Sequence, residues 1–204
     1  MLQRRAVSPA TFDLLLKISA IPELMDFNLA GGTALALQIG HRISYDLDLF
    51  GNRPFTTDEL LSLLEEHQPL TIISQHKNIL ILNLAGVKVD FVNYKYPLIG
   101  NVVTEEGLRL LSLSDIAAMK LAAIAGRGRK RDFFDLFFLL KKYSLNELIG
   151  FYNQKYSDGS EMMVTRSLTY FDDADEDENP NLFGNETWSQ VKEFIRGKVK
   201  LKYG

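Results

Sequence analysis

Three strand-like runs, residues 71–76, 79–84 and 87–93, are each separated by only two residues, Lys77-Asn78 and Ala85-Gly86. Two residues can reverse a chain into an antiparallel neighbour but are far too few for a parallel crossover. The runs are therefore predicted to form an antiparallel meander. In the last run Val87, Val89 and Phe91 share one face, and Lys88 and Asp90 the other. One side of this sheet should be buried and the other polar.

The rest of the chain has mostly helical signals. Ser8 reads as an N-cap followed by Pro9, opening a helix to about residue 20 with Phe12, Leu15, Leu16 and Ile18 on its apolar face. Residues 30–33, Ala-Gly-Gly-Thr, read as a glycine turn, and 34–39 as a short buried helix. Residues 43–50 alternate, with Ile43, Tyr45, Leu47 and Leu49 on one face and Ser44, Asp46 and Asp48 on the other, the period of a strand. Thr56 and Glu59 suit a capping box for a helix to about residue 67.

From residue 112 on, helices are predicted over 115–125 (N-cap Ser114), 132–142, 144–155 (capping box Ser144 with Glu147), 160–170 and 187–196. The phenylalanines at 133, 134, 137 and 138 read as core packing. Strands end near residue 105. The predicted class is therefore α+β, a small mixed sheet flanked by helices and followed by a helical half. The predicted domains are an α/β core over 1–105 and a helical region over 106–204 packed on it.

Composition excludes several chemistries. The absence of cysteine rules out disulfides, thiolate zinc sites, iron–sulfur clusters and a cysteine nucleophile. The three histidines are scattered and read as surface residues, so any metal would be held by oxygen. With 23 basic against 26 acidic residues the chain is no general nucleic-acid coat, although local basic patches occur at 127–131 and 192–202. No stretch approaches the ~20 apolar residues of a membrane span. The N-terminal residues lack a signal-peptide pattern, so the expected location is the cytoplasm, away from membranes.

One constellation carries chemistry. Asp46 and Asp48 share a face of a predicted strand, and two carboxylates this close are tolerated in solvent or around a divalent cation. Gly31 and Gly32 lie upstream, where glycine lets the backbone approach a phosphate and the following helix points its N–H groups at it. Thr33 adds a hydroxyl. This combination suits a nucleoside triphosphate with Mg²⁺. If the meander neighbours the strand of Asp46 and Asp48, Asp90 completes a three-carboxylate cluster for one or two cations, which would activate an attacking hydroxyl and stabilise leaving pyrophosphate.

Gly31-Gly32-Thr33, Asp46-Leu47-Asp48 and Asp90 together resemble the nucleotidyltransferase superfamily of the DNA polymerase β type. The string GGTALALQIGHRISYDLDLF resembles the signature of the AbiEii group, the toxin component of type IV toxin–antitoxin pairs. Lys120 and the stretch RGRKRDFFDL at 127–136 resemble that group's downstream lysine and Arg-x-x-x-Arg-Asp-x-x-Asp-Leu segment. The resemblance implies a nucleotidyltransferase fold and transfer of a nucleotide from an NTP to RNA, tRNA in studied relatives. It also implies a neighbouring antitoxin. Carried over by position, Asp46 and Asp48 match metal ligands (Mg²⁺, with Mn²⁺ an alternative), and Gly31, Gly32 and Thr33 match the nucleotide loop. Lys120 matches the lysine that faces the triphosphate, and Asp132 an acidic residue near the acceptor that could act as a base. Asp90 matches by its place in the third strand. The chain departs from polymerase β enzymes in having Gly-Gly where they have Gly-Ser, and Thr33 would supply the missing hydroxyl.

Around these, Arg42 would touch the nucleotide or pair with Asp46, and Arg127 in the basic connector would attract phosphates of the triphosphate or the RNA. Asp135 reads as structural, paired with Arg127 or Arg131. The acidic run 172–178, six acids in seven residues, reads as a solvated loop or, alternatively, as a phosphate mimic folded over 127–131. Two rival functions remain: a nucleotidyltransferase with a small-molecule acceptor of the aminoglycoside kind, and a non-catalytic nucleotide-binding module.

Overall fold

The computed structural model describes residues 1–203. The chain divides into two compact units. The first comprises Met1–Gly40, Ser44–Pro97 and Asn101–Leu111, and the second His41–Ile43, Leu98–Gly100 and the chain from Ser112.

The first unit runs α1 (Pro9–Ala20), β1 (Asn28–Leu29), α2 (Gly31–Ile39), β2 (Leu47–Gly51), α3 (Thr57–Glu65), β3 (Leu70–His76), β4 (Ile79–Leu84), β5 (Val87–Asn93), β6 (Val103–Glu105) and β7 (Leu108–Leu110). The strands form one mixed sheet in the order β3-β4-β5-β2-β1-β7-β6. Strands β2 and β5 pair in parallel, as do β1 and β7, while the other pairs are antiparallel. The meander is present as expected. Its second turn places Ala85 and Gly86 at positive φ, 49° and 85°, the backbone that a two-residue hairpin with native twist requires. One face of the sheet is the core: Leu29, Leu47, Leu80, Leu82, Val89 and Phe91 are almost wholly buried, each worth about 1.5–3 kcal/mol.

Several elements differ from the sequence reading, each for a local reason. The strand expected over 43–50 starts only at Leu47. Upstream, the Ser44 N–H donates to the Ala6 carbonyl (2.8 Å) and Ser44 is buried while Tyr45 is exposed, which reverses the expected alternation. The glycine turn at 30–33 is in fact the first turn of α2. In α3, Thr56 Oγ1 accepts from the Glu59 N–H (3.3 Å), but the Glu59 carboxylate accepts from the Thr56 hydroxyl rather than its backbone, so the box is half formed. Strands continue past 105 because Glu106 and Gly107, both at positive φ, close a β6–β7 hairpin. Strand β7 then lies beside β1, with Leu110 opposite Leu29.

The second unit is helical: α4 (Leu113–Gly126), α5 (Lys130–Leu139), α6 (Leu145–Lys155), α7 (Glu161–Ser167), α8 (Asp172–Asp175) and α9 (Trp188–Tyr203). The reciprocal capping box of α6 forms as expected. The N-cap of α4 is Ser112 rather than Ser114, because Ser112 Oγ is the atom that accepts from the Asp115 N–H (3.0 Å). Phe133 and Phe134 are buried against Phe171 and Trp188, as core packing demands. The acidic run folds over the basic segment instead of standing free in solvent. Asp177 accepts from Arg129 Nη1 and from the first N–H of α5 at Lys130, both at 2.9 Å. The basic patch at 192–202 lies within α9. No helix among the described residues is long and apolar enough to cross a membrane.

Candidate active site

In the first unit the candidate residues gather around the short passage from β1 into α2. The Ala30 N–H donates to the Asp48 carbonyl (2.7 Å), extending the β1–β2 pairing and laying Gly31 against the Asp48 side chain. A Cβ on Gly31 would collide with Asp48 Oδ2, and Gly31 has a φ of 64°. Glycine is required here both by space and by backbone conformation. Ala30, at the N-cap of α2, has no polar side chain, and a helix leaves its own first N–H groups without partners. These are the N–H groups of Gly31, Gly32 and Thr33.

Thr33 has a different task from the one expected. Its side chain is buried, and its hydroxyl donates to the Asp46 carbonyl and lies 2.8 Å from Ser44 Oγ. It ties down the backbone that carries Asp46. Ser44 belongs to the same knot and carried no signal in the sequence beyond its polarity.

Asp48 and Asp90 are register partners on the parallel strands β2 and β5, so the two side chains project from the same face. The meander does neighbour the Asp-x-Asp strand. Asp90, however, already has a counter-charge: Lys88 Nζ lies 2.7 and 2.8 Å from its two oxygens. Carboxylates are hard oxygen donors that suit Mg²⁺. Asp46 and Asp48, both partly exposed, fit one such cation. Among the described residues no three His, Asp or Glu side chains are gathered to hold a metal ion.

The second unit holds a buried ionic cluster. Asp135, without exposure, accepts from Arg42 Nε (2.7 Å) and Nη2 (3.0 Å) and from His41 Nε2 (2.6 Å), and pairs with Lys120 Nζ (2.6 Å). Lys120 Nζ also donates to Asp132 (2.8 Å), which accepts from Arg127 Nε (3.0 Å) as well. Burial alone would raise the pKa values of Asp132 and Asp135. The cations beside them prevail and hold both carboxyls below the ordinary range, Asp135 well below. Arg42 and Lys120 therefore meet on Asp135, and Lys120 and Arg127 on Asp132. His41 is buried rather than on the surface as expected, and Asp135 pairs with His41, Arg42 and Lys120 rather than with Arg127 or Arg131 as expected. The three-residue spacing of Asp132 and Asp135 on one helix face was the available sequence signal; the 93 positions between Arg42 and Asp135 hid the rest.

Comparison with known proteins bears on this arrangement. Residues 13–201 match the family described as nucleotidyl transferase AbiEii toxin, type IV TA system. This chain belongs to the AbiEii nucleotidyltransferase toxin family. An uncharacterized protein of Aquifex aeolicus is 37% identical over 190 residues, covering 90% of this chain and 91% of its own. The fold is similar to that of MenT4, a nucleotidyltransferase toxin from Mycobacterium tuberculosis (TM-score 0.62, 16% identity, 93% of this chain and 80% of that one). It is similar also to JHP933 from Helicobacter pylori (TM-score 0.55, 17% identity, 96% and 92%). As an AbiEii member the chain is a nucleotidyltransferase, and the mixed sheet bearing Asp48 is the fold of that enzyme class.

Proposed function

We propose that this AbiEii enzyme transfers a nucleotide from an NTP to the 3′ hydroxyl of an RNA, probed first with tRNA, as the toxin of a toxin–antitoxin pair. The observation that carries the reading is the seating of the Asp48 carboxylate on Gly31 at the mouth of α2. It brings a carboxylate and backbone N–H donors to one place, the two kinds of group that a metal–triphosphate needs.

In this reading the N–H groups of Gly31, Gly32 and Thr33 hold phosphate oxygens, and Asp46 and Asp48 would hold Mg²⁺. When bound, the cation neutralises phosphate charge and polarises the α-phosphoryl group. The acceptor hydroxyl oxygen bonds to the α-phosphorus and gives up its proton to solvent water as the bond to the β-phosphate oxygen breaks, and pyrophosphate leaves with that electron pair. Thr33 keeps Asp46 in place throughout. The family resemblance assigns Lys120 to the triphosphate, and its ammonium, which has three protons to donate, is held within the second unit by Asp132 and Asp135. Asp132, held in its ionised form by Lys120 and Arg127, orients these two cations rather than removing the acceptor's proton. Arg42 is held on Asp135 and keeps that carboxylate, and through it Lys120, in place.

The test is incubation of the purified protein with total tRNA, Mg²⁺ and each labelled NTP in turn, beside Asp46→Ala and Asp48→Ala. Label on RNA with one NTP, absent in both variants, is the expected result. Label that persists in a folded Asp48→Ala protein overturns the assignment. Label on an added aminoglycoside, with none on RNA, would select the small-molecule acceptor instead.

A further inference from the structure

Lys88 stands among the carboxylates that the proposed reaction depends on. It precedes Val89 as Asp46 precedes Leu47, and Leu47 and Val89 are register partners on β2 and β5. One rung further, Asp48 faces Asp90. On the partly exposed face Asp48 of β2 thus lies beside Asp90 of β5, with Lys88 two residues before Asp90 and Asp46 one residue before β2 begins. Across the outer edge of β5, Asn83 and Ile81 of β4 oppose Lys88 and Asp90, so no second cation comes from that side. The Lys88 ammonium bonds both oxygens of Asp90.

We infer that Lys88 occupies, with its own charge, the place beside Asp90 that a second divalent cation would take, so that this enzyme's carboxylate array holds one divalent cation rather than two. This rests on the proposed function, in that Asp46 and Asp48 are taken as the ligands of the first cation. A carboxylate that accepts two hydrogen bonds from an ammonium has lost the lone pairs most directly available to a metal. Removing the ammonium would leave the Asp90 carboxylate without its counter-charge on the rung that it shares with Asp48. Two such carboxylates repel each other and are relieved by taking up another cation. Lys88 is a positioning residue here: it acts by keeping Asp90 out of the metal shell.

The experiment counts bound Mn²⁺ by electron paramagnetic resonance in the full-length protein, with Mn²⁺ alone as the probe. The wild type is expected to bind one ion. Lys88→Met, which retains the apolar stem, is expected to bind two, and Lys88→Met/Asp90→Asn one again. Asp90→Asn alone should still bind one. Two ions on the wild type, or one lost on Asp90→Asn, would overturn the inference while leaving the proposed function standing. A single ion that Asp48→Asn does not weaken would mean that the proposed function itself is wrong. A Lys88→Met protein that melts normally by circular dichroism and still binds one ion also overturns the inference.

Discussion

The carboxylate of Asp48 rests against the Cα of Gly31, with no room for even a methyl group between them. The contact joins the Asp48 side chain of β2 to the N-terminus of α2. It also explains why a glycine at this position carries more information than most glycines in the chain. Gly31→Ala must both displace Asp48 and adopt a φ of 64°, a backbone strain of about 1–2 kcal/mol before any clash is counted. The expected outcome is a folded protein with a lowered melting temperature and no detectable nucleotide transfer. Wild-type activity in Gly31→Ala would show that the contact is not needed.

Thr33 should be sensitive to loss of its hydroxyl and tolerant of loss of its methyl group. Thr33→Val leaves the part-buried Asp46 carbonyl without its donor and should cost about 1–3 kcal/mol, read from urea denaturation. Thr33→Ser should recover most of that loss, together with activity. Equal behaviour of the two variants would mean that packing, not the hydrogen bond, is what matters.

The Asp135 hub predicts a large asymmetry between breaking and replacing charge. Asp135→Ala removes the carboxylate that buried Arg42 and Lys120 share and should cost about 3–5 kcal/mol. The same arithmetic applies to the fully buried Asp115–Lys155 pair (2.7 Å), where Asp115 also accepts from the Ile99 and Gly100 N–H groups. There the double replacement Asp115→Leu/Lys155→Met should destabilise less than the sum of the single changes. Additive losses in a double-mutant cycle would show that the pair does not interact.

Stability should depend on acid pH in a stated direction. Asp115, Asp132 and Asp135 have folded pKa values below the ordinary one: burial raises each, and Lys155, then Lys120 and Arg127, then Arg42 and Lys120 more than offset it. Their contribution is present in full above the unfolded value of about 3.9 and is lost as pH falls through the folded values. Unfolding midpoints in urea should change little from neutrality to about pH 5 and then fall steeply. Asp135→Asn should flatten that fall. A wild-type midpoint that holds steady down to about pH 3 would contradict the linkage.

Asp177 caps α5 from outside the helix and pairs with Arg129 at a mostly exposed site. Asp177→Asn keeps one acceptor and should lower stability by about 0.5–1 kcal/mol, a shift of a few degrees in melting temperature. A loss several times larger would make the acidic run a structural pillar of the second unit.

Local chemistry was enough for much of this protein. The period-two runs and their two-residue turns specified β4 and β5 to the residue, because a hairpin is decided by neighbours in sequence. Ser8-Pro9 and Ser144 with Glu147 specified the starts of α1 and α6, because a cap is a contact within one turn. The family likeness was read from residue types and their spacing at Gly31, Asp46, Asp48, Lys120 and Asp132, and the match of residues 13–201 bears out the family. Tertiary structure decided what those residues touch. Strands of two or three residues, such as β1 and β7, hold no period to read, and exist only because a neighbour supplies their hydrogen bonds. The parallel pairing that sets Asp48 beside Asp90, the meeting of Arg42 and Lys120 on Asp135, and the fold of the acidic run onto Lys130 all join residues far apart in the chain. Such contacts are paid for by the burial of the whole core rather than by any local preference, so no local pattern announces them.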